Sequence, residues 1–225
     1  YTLSSMDKNE LSFKNSLSEA QKLGYAESNP FDDISGEDVS SKLKILSSLA
    51  FNSYINKNIF VEGIKKVDKE DITNANKLGY KIKLIGASEL INKKVIQRVH
   101  PCLIKKDSYI ATVDGILNTV IVEGNPVGKS TLQGEGAGAE ATTSALISDI
   151  SSILRGNIKY PFSISDKERQ TLKSSSMMEQ IFSAYMRIDV FDKPGVLSNI
   201  TNIFSKNKIS IKRLIQNPIK SKNYA

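Results

Sequence analysis

At 225 residues the chain is long enough for one large domain or two small ones, each able to bury a core. Its 40% hydrophobic and 24% charged residues suit an ordinary globular protein, and no apolar run approaches the ~18 residues of a membrane span. The net charge of +7 is carried by lysine pairs scattered among acids (Lys65–Lys66, Lys93–Lys94, Lys105–Lys106), not by the basic, aromatic-studded stripe that nucleic-acid binding needs.

The chain opens on YTLSSMDKNE, which lacks the basic and apolar regions of a signal peptide and reads as the inside of a helix. A longer protein and a cytoplasmic setting are expected. Ser12 caps a helix with Phe13, Leu17, Ala20 and Leu23 on one side, stopped by Gly24. The stretch GYAESNPFDDISGEDVSSK follows, with Glu27, Asp32, Asp33, Glu37 and Asp38 ahead of Lys42. A second helix is predicted from about Asp38 to Asn52, then a strand over Asn58–Val67 and a short helix over Asp71–Leu78.

Alternation in YKIKLIGASEL, continued by KKVIQRVHPCLI after the polar Asn92, predicts β structure from Tyr80 to Leu103. Cys102, the only cysteine, excludes an internal disulfide and fits a reducing compartment; with His100 as the only histidine, no metal site is expected. A lone His beside Pro101 in a strand reads as structural. NTVIVEGNPVGKSTLQ predicts a hairpin turning at Gly124–Gly128; its GNPVGKST has one residue too few between the glycines for a phosphate-binding loop. GEGAGAEATTSALISDISSIL is a Gly-rich turn entering a long helix. Gly134, Gly136 and Gly138 there suit either a tight turn or a ligand's close approach to bare backbone. Asn157–Ser176 is polar and reads as a linker, and AYMRIDVFDKPGVLSNITNIFSKNKISIKRLIQ as strand–helix–strand.

On a helical wheel with Val39 at zero, Val39, Leu43, Leu46 and Ala50 lie within about 40°, while Ile45 and Leu49 extend the apolar arc to about −120°. Lys42 lands near −60° and Asp38 near −100°, both inside that arc. They are i,i+4 neighbours with the acid first, at the positive end of the helix. One reading is an ordinary ion pair with a snorkelling stem. The other, favoured by the acid-rich loop alongside, is a lysine held and oriented as a proton donor.

These runs carry a resemblance. EAQKLGYAESNPFDDISGEDVSSKLKILSSLAF, RVHPCLI, ATVDGILNTVIVEGNPVG and QGEGAGAEATTSALISDI resemble, in order, the substrate-binding part of homoserine dehydrogenases. Such enzymes interconvert L-homoserine and L-aspartate 4-semialdehyde with NAD or NADP, in the route to threonine, methionine and isoleucine. The resemblance implies that Lys42 is the proton-transferring lysine, with Asp38 the carboxylate beside the reacting centre. It implies that Glu27 binds the homoserine amino group, that Asp33 belongs to the same substrate loop, and that Gly138 contacts the cofactor.

The C-terminal piece resembles the first half of an ACT domain, a βαββαβ unit whose DKPGVL turn lies near an amino-acid effector site, so threonine control is an implication. The expected architecture is therefore α/β. Residues 1–156 form a substrate and dimerisation domain with a mainly β sheet covered by helices, 157–184 a linker, and 185–225 a partial ferredoxin-like ACT module. The nucleotide-binding domain that begins such enzymes, with its Gly-rich turn, has no counterpart here, so the chain alone is expected to be inactive. A homodimer is expected from the family. The alternative from another class is a non-catalytic amino-acid-binding or regulatory protein that kept the substrate fold.

Overall fold

The computed structural model describes residues 1–54, 59–136, 138–176, 180–191 and 193–216. Two short helices open the chain: α1 (Thr2–Lys8) and α2 (Phe13–Lys22). Ser12 caps α2 as its sequence predicts, its hydroxyl accepting from the Asn15 N–H at 3.3 Å. After the acidic loop come α3 (Phe31–Ser35) and α4 (Glu37–Phe51), joined at Gly36. Strands β1 (Ser53–Tyr54) and β2 (Phe60–Val61) follow, then α5 (Lys69–Lys77) behind a complete Asp68–Asp71 capping box. The strand expected over Asn58–Val67 is thus confined to Phe60–Val61, with Asn58 outside the described residues.

The sheet is built on two long antiparallel strands, β3 (Tyr80–Ile91) and β4 (Lys94–Lys105), in register from Tyr80↔Lys105 to Ile91↔Lys94. β2 adds to β4 in parallel, so the sheet is mixed. Helices α1, α4 and α5 cover it. Leu3, Met6, Ile64, Val67, Ile72, Ala75 and Ile82 are buried together as the core cluster. The fold class is α/β, as expected from the sequence.

Helix α4 sits differently from its wheel. Its buried stripe is Ser40, Leu43, Ser47 and Ser48, centred about 130° round the helix from the middle of the arc expected to be buried. Ile45, Leu46 and Leu49 are 55%, 38% and 39% exposed. The reason is a polar tie: Gln97 Nε2 on β4 donates to Ser47 Oγ at 2.8 Å, and that hydroxyl donates to the Leu43 carbonyl at 2.6 Å. Small, satisfied serines let the helix lie close to the sheet, and the larger apolar side chains turn outward.

The stretch expected to be a linker is pinned to the domain. β7 (Gln170–Thr171) pairs in parallel with β1, and β8 (Lys173–Ser174) with β4 at Lys94 and Val95. Arg169 lies 3.9 Å from the Tyr54 ring centre and 4.1 Å from that of Phe162, and donates to the Ser53 carbonyl at 3.1 Å.

The hairpin β5 (Leu117–Gly124) and β6 (Gly128–Glu135) turns where the sequence predicts, and leads into α6 (Ala139–Leu154). This limb buries almost nothing. Val127, Leu132, Leu146, Ile147, Ile150 and Ile153 are all more than half exposed. The accessible surface of 16015 Å² compares with roughly 10,000 Å² for a compact monomer of this mass, an excess the size of a large interface.

Near the end, α7 (Val196–Lys206) is the only regular element among the described residues. The flanks at 180–190 and 209–216, expected as strands, form no strand ladder among the described residues; Asp192 of the expected turn lies outside the described residues. In a split βαβ arrangement the strands either side of the first helix bond to a strand between them, not to each other, so strand–helix–strand alone has no ladder to form.

Candidate active site

Four side chains that the sequence singles out come together around the start of α4. Lys42 Nζ lies 2.7 Å from Asp38 Oδ2, with the two side chains 54% and 40% exposed. A pair this open contributes only about 0.3–0.5 kcal/mol to stability, so stability does not account for its placement. Lys42 sits between Leu46 and Leu49, inside an apolar arc as the wheel predicts, but that arc faces outward, where a ligand can reach the ammonium.

Asp33 comes from the first turn of α3 and Glu27 from the loop before it. Loss of solvent around its carboxyl, then the charges of Asp38 and Glu27, push the pKa of Asp33 above the usual carboxylate value, while Lys42 works against them. With Asp32, which also raises the Asp33 pKa, these groups form one electrostatic cluster of four carboxylates and one ammonium, with negative charge in excess. Such a cluster has the charge to attract a group carrying its own positive charge.

The scaffold under the cluster depends on close backbone approach. The Ile64 N–H donates to the Ile34 carbonyl at 2.9 Å, docking α3 on the strand-end segment after β2. A side chain at Gly63 would collide with that same carbonyl oxygen, so only glycine lets the acidic helix seat there.

Gly138 stands apart from the cluster, as the residue before α6. It has φ +111°, and a Cβ built there would meet nothing within 4 Å. Bare backbone at a helix N-terminus, open on the outside, fits a cofactor's close approach; Gly136, by contrast, lies tightly against Asn118. His100 Nδ1 lies 3.0 Å from the Pro101 carbonyl oxygen and 3.4 Å from Cys102 Sγ. Burial pushes the Cys102 thiol pKa up, away from nucleophilic chemistry. No group of residues able to hold a metal occurs among the described residues.

Sequence reasoning missed a second charged network beside the acidic loop. Asp114 is gripped by Lys83 at 2.6 Å, Lys81 at 3.2 Å and Lys8 at 3.4 Å, and Lys83 also donates to the Val113 carbonyl at 2.6 Å. Burial alone would raise the Asp114 pKa, but the two β3 lysines hold it down at about 2. The Ser4 hydroxyl of α1 also donates to Asp114 at 3.4 Å, and the Tyr1 ring just before that helix packs on Tyr25, so α1 links this network to the loop. The available signal was the alternation of YKIK, which sets Lys81 and Lys83 on one face of the strand opposite the buried Ile82.

Fold and site together define a class: an α/β domain with an exposed acid–lysine cluster, followed by a segment whose one helix is α7 among the described residues. The homoserine dehydrogenase family model matches residues 1–151, and the ACT domain model matches 184–225. The chain belongs to the homoserine dehydrogenase family. It is 39% identical to a homoserine dehydrogenase of Helicobacter pylori over 226 aligned positions, covering 100% of this chain and 53% of that protein. It is 38% identical to that of Neisseria gonorrhoeae, covering 96% and 51%. The crystal structure of a homoserine dehydrogenase from Thiobacillus denitrificans superimposes with a TM-score of 0.80 at 33% identity, over 100% of this chain and 53% of that one. The chain thus spans about half the length of the relatives it matches.

Proposed function

We propose that this chain forms the substrate side of a homoserine dehydrogenase, which interconverts L-homoserine and L-aspartate 4-semialdehyde with NAD or NADP on the route to threonine, methionine and isoleucine. The observation that carries the proposal is the exposed Lys42–Asp38 pair at 2.7 Å beside the Glu27 and Asp33 carboxylates, within the segment that matches the family.

Each side chain then has a task. Glu27, with Asp33, holds the ammonium of homoserine by charge and hydrogen bonding, the role the excess of carboxylates suits. Asp38 keeps the Lys42 ammonium turned toward the reacting carbon. When bound, NAD(P) supplies or takes up the hydride. As the aldehyde is reduced, Lys42 stabilises the negative charge growing on the substrate oxygen and gives it a proton. In the oxidation direction neutral Lys42 takes the hydroxyl proton. Gly138 and the open N-terminus of α6 would form one wall for the cofactor.

The apolar limb of β5, β6 and α6 supports an assembly in which the rest of the protein or a second copy covers it, and a homodimer is the state proposed. Cytoplasmic residence and threonine binding at the ACT module complete the reading.

The test is an assay of the full-length protein for homoserine-dependent reduction of NAD⁺ and NADP⁺. Turnover that collapses in Lys42→Ala, with folding intact, supports the reading. Homoserine binding without turnover in the wild type would instead make this an amino-acid-binding protein on the same fold.

A further inference from the structure

The loop that carries Glu27 is exposed, yet a carboxylate that grips a substrate must be held to within a fraction of an ångström. The chain leaves α2 at Leu23, turns through Gly24 at φ +73°, and folds back over the end of the helix. The buried Ala20 carbonyl accepts two N–H groups from the returning loop, that of Tyr25 at 2.9 Å and that of Ala26 at 3.2 Å. The Tyr25 ring lies against Tyr1, with centres 5.2 Å apart. These ties stop one residue short of Glu27.

The side chain of Gln21 continues them. Its Nε2 donates to the Glu27 carbonyl at 3.0 Å and to the Ser28 carbonyl at 3.3 Å. One amide on the last turn of α2 thus fixes the peptide unit that follows the Glu27 Cα and the one after it, and with them the backbone from which the Glu27 side chain leaves. Glu27 in turn acts on Asp33, as do Asp38 and Lys42.

We propose that Gln21 is a positioning residue for substrate binding: its amide clasps the Glu27 and Ser28 carbonyls and so aims the Glu27 carboxylate at the shared cluster. This deepens the reading given under Proposed function and rests on it for the role of Glu27. Gln21 touches no substrate, so its effect travels through backbone geometry alone.

The experiment uses the full-length enzyme with Gln21→Met, which keeps length and bulk but has no donor, and Gln21→Glu, whose ionised carboxylate cannot donate either. Both are expected to raise the homoserine KM about fivefold with kcat within about twofold, and to speed amide exchange across residues 24–28. In a Glu27→Ala background Gln21→Met should add nothing further, because the group it aims is gone. Unchanged KM in both variants while Glu27→Ala raises it would overturn the proposal, as would a full additional effect in the Glu27→Ala background. A Glu27→Ala enzyme with wild-type KM is a separate failure, of the role assigned to Glu27, and the exchange rates still report whether the tether exists.

Discussion

Lys42 Nζ and Asp38 Oδ2 stand 2.7 Å apart on a helix face that points away from the core. Removing the lysine therefore leaves no cavity and no buried unpaired charge. Lys42→Ala in the full-length enzyme should lower kcat about 10²–10⁴-fold, with a smaller change in homoserine KM and a melting temperature within a degree or two of wild type. Near-normal turnover would remove the proton-transfer role.

Glu27 is held in an exposed loop, and the role proposed for it is binding, not proton transfer. Glu27→Ala should raise the homoserine KM at least tenfold, the loss expected for one charge-assisted hydrogen bond, while saturating substrate restores most of the rate. Titration calorimetry with homoserine on the cofactor-loaded enzyme checks the same point without turnover.

Asp33 is a carboxylate whose neighbours favour its neutral form. An acid with a raised folded pKa subtracts from stability once it is ionised, and the loss disappears as pH falls and the group protonates. Asp33→Asn should accordingly raise the melting temperature at pH 7, have no effect at pH 3, and weaken homoserine binding. A variant destabilised at neutral pH would contradict this.

Asp114 has the opposite sign. Its pKa of about 2 lies below the ordinary value of 3.8, so its contribution is complete above about pH 4 and is lost as pH falls toward 2. The contribution is roughly 2 kcal/mol. Melting curves between pH 5 and pH 2 should show a drop that Asp114→Asn abolishes. At pH 7 the same variant is less stable by roughly 2–3 kcal/mol, because Lys83 loses its carboxylate partner while Lys81 keeps Asp7 at 3.8 Å. The side chain of Lys83 is only 12% exposed.

Arg187 ties the ACT-matching segment to the N-terminus of α5, within 2.6 Å of both Asp68 carboxylate oxygens and 3.0 Å of Asp71, with the Tyr185 hydroxyl 3.1 Å from Asp71. Arg213 donates to the Leu78 carbonyl at the other end of that helix. Arg187→Ala should cost about 1–2 kcal/mol and expose the segment between 157 and 184 to limited proteolysis. A cleavage rate equal to wild type would mean that the clasp does not hold in solution.

The Ser12 cap, the Asn125–Pro126 hairpin turn, the long β3–β4 pair and the α6 helix were legible in the sequence, because each depends on residues adjacent in the chain. So was the Asp38–Lys42 pair, one helical turn apart; Glu27 and Asp33 were singled out through the acidic loop and the family resemblance. Tertiary structure decided which way the pair faces. The apolar arc of α4 competes with a serine stripe for the sheet, and the stripe wins through Gln97, which lies 50 residues away from Ser47. The Asp114 network and the Gln21 tether escaped notice for the same kind of reason. A lone aspartate, or a glutamine at a helix end, has no periodic signature, and its partners are assembled only when the chain folds back. The segments either side of α7 add the converse case: their β pattern is plain in the sequence, but among the described residues 180–190 and 209–216 form no strand ladder, because a strand is a property of a pair and local alternation cannot supply the neighbour.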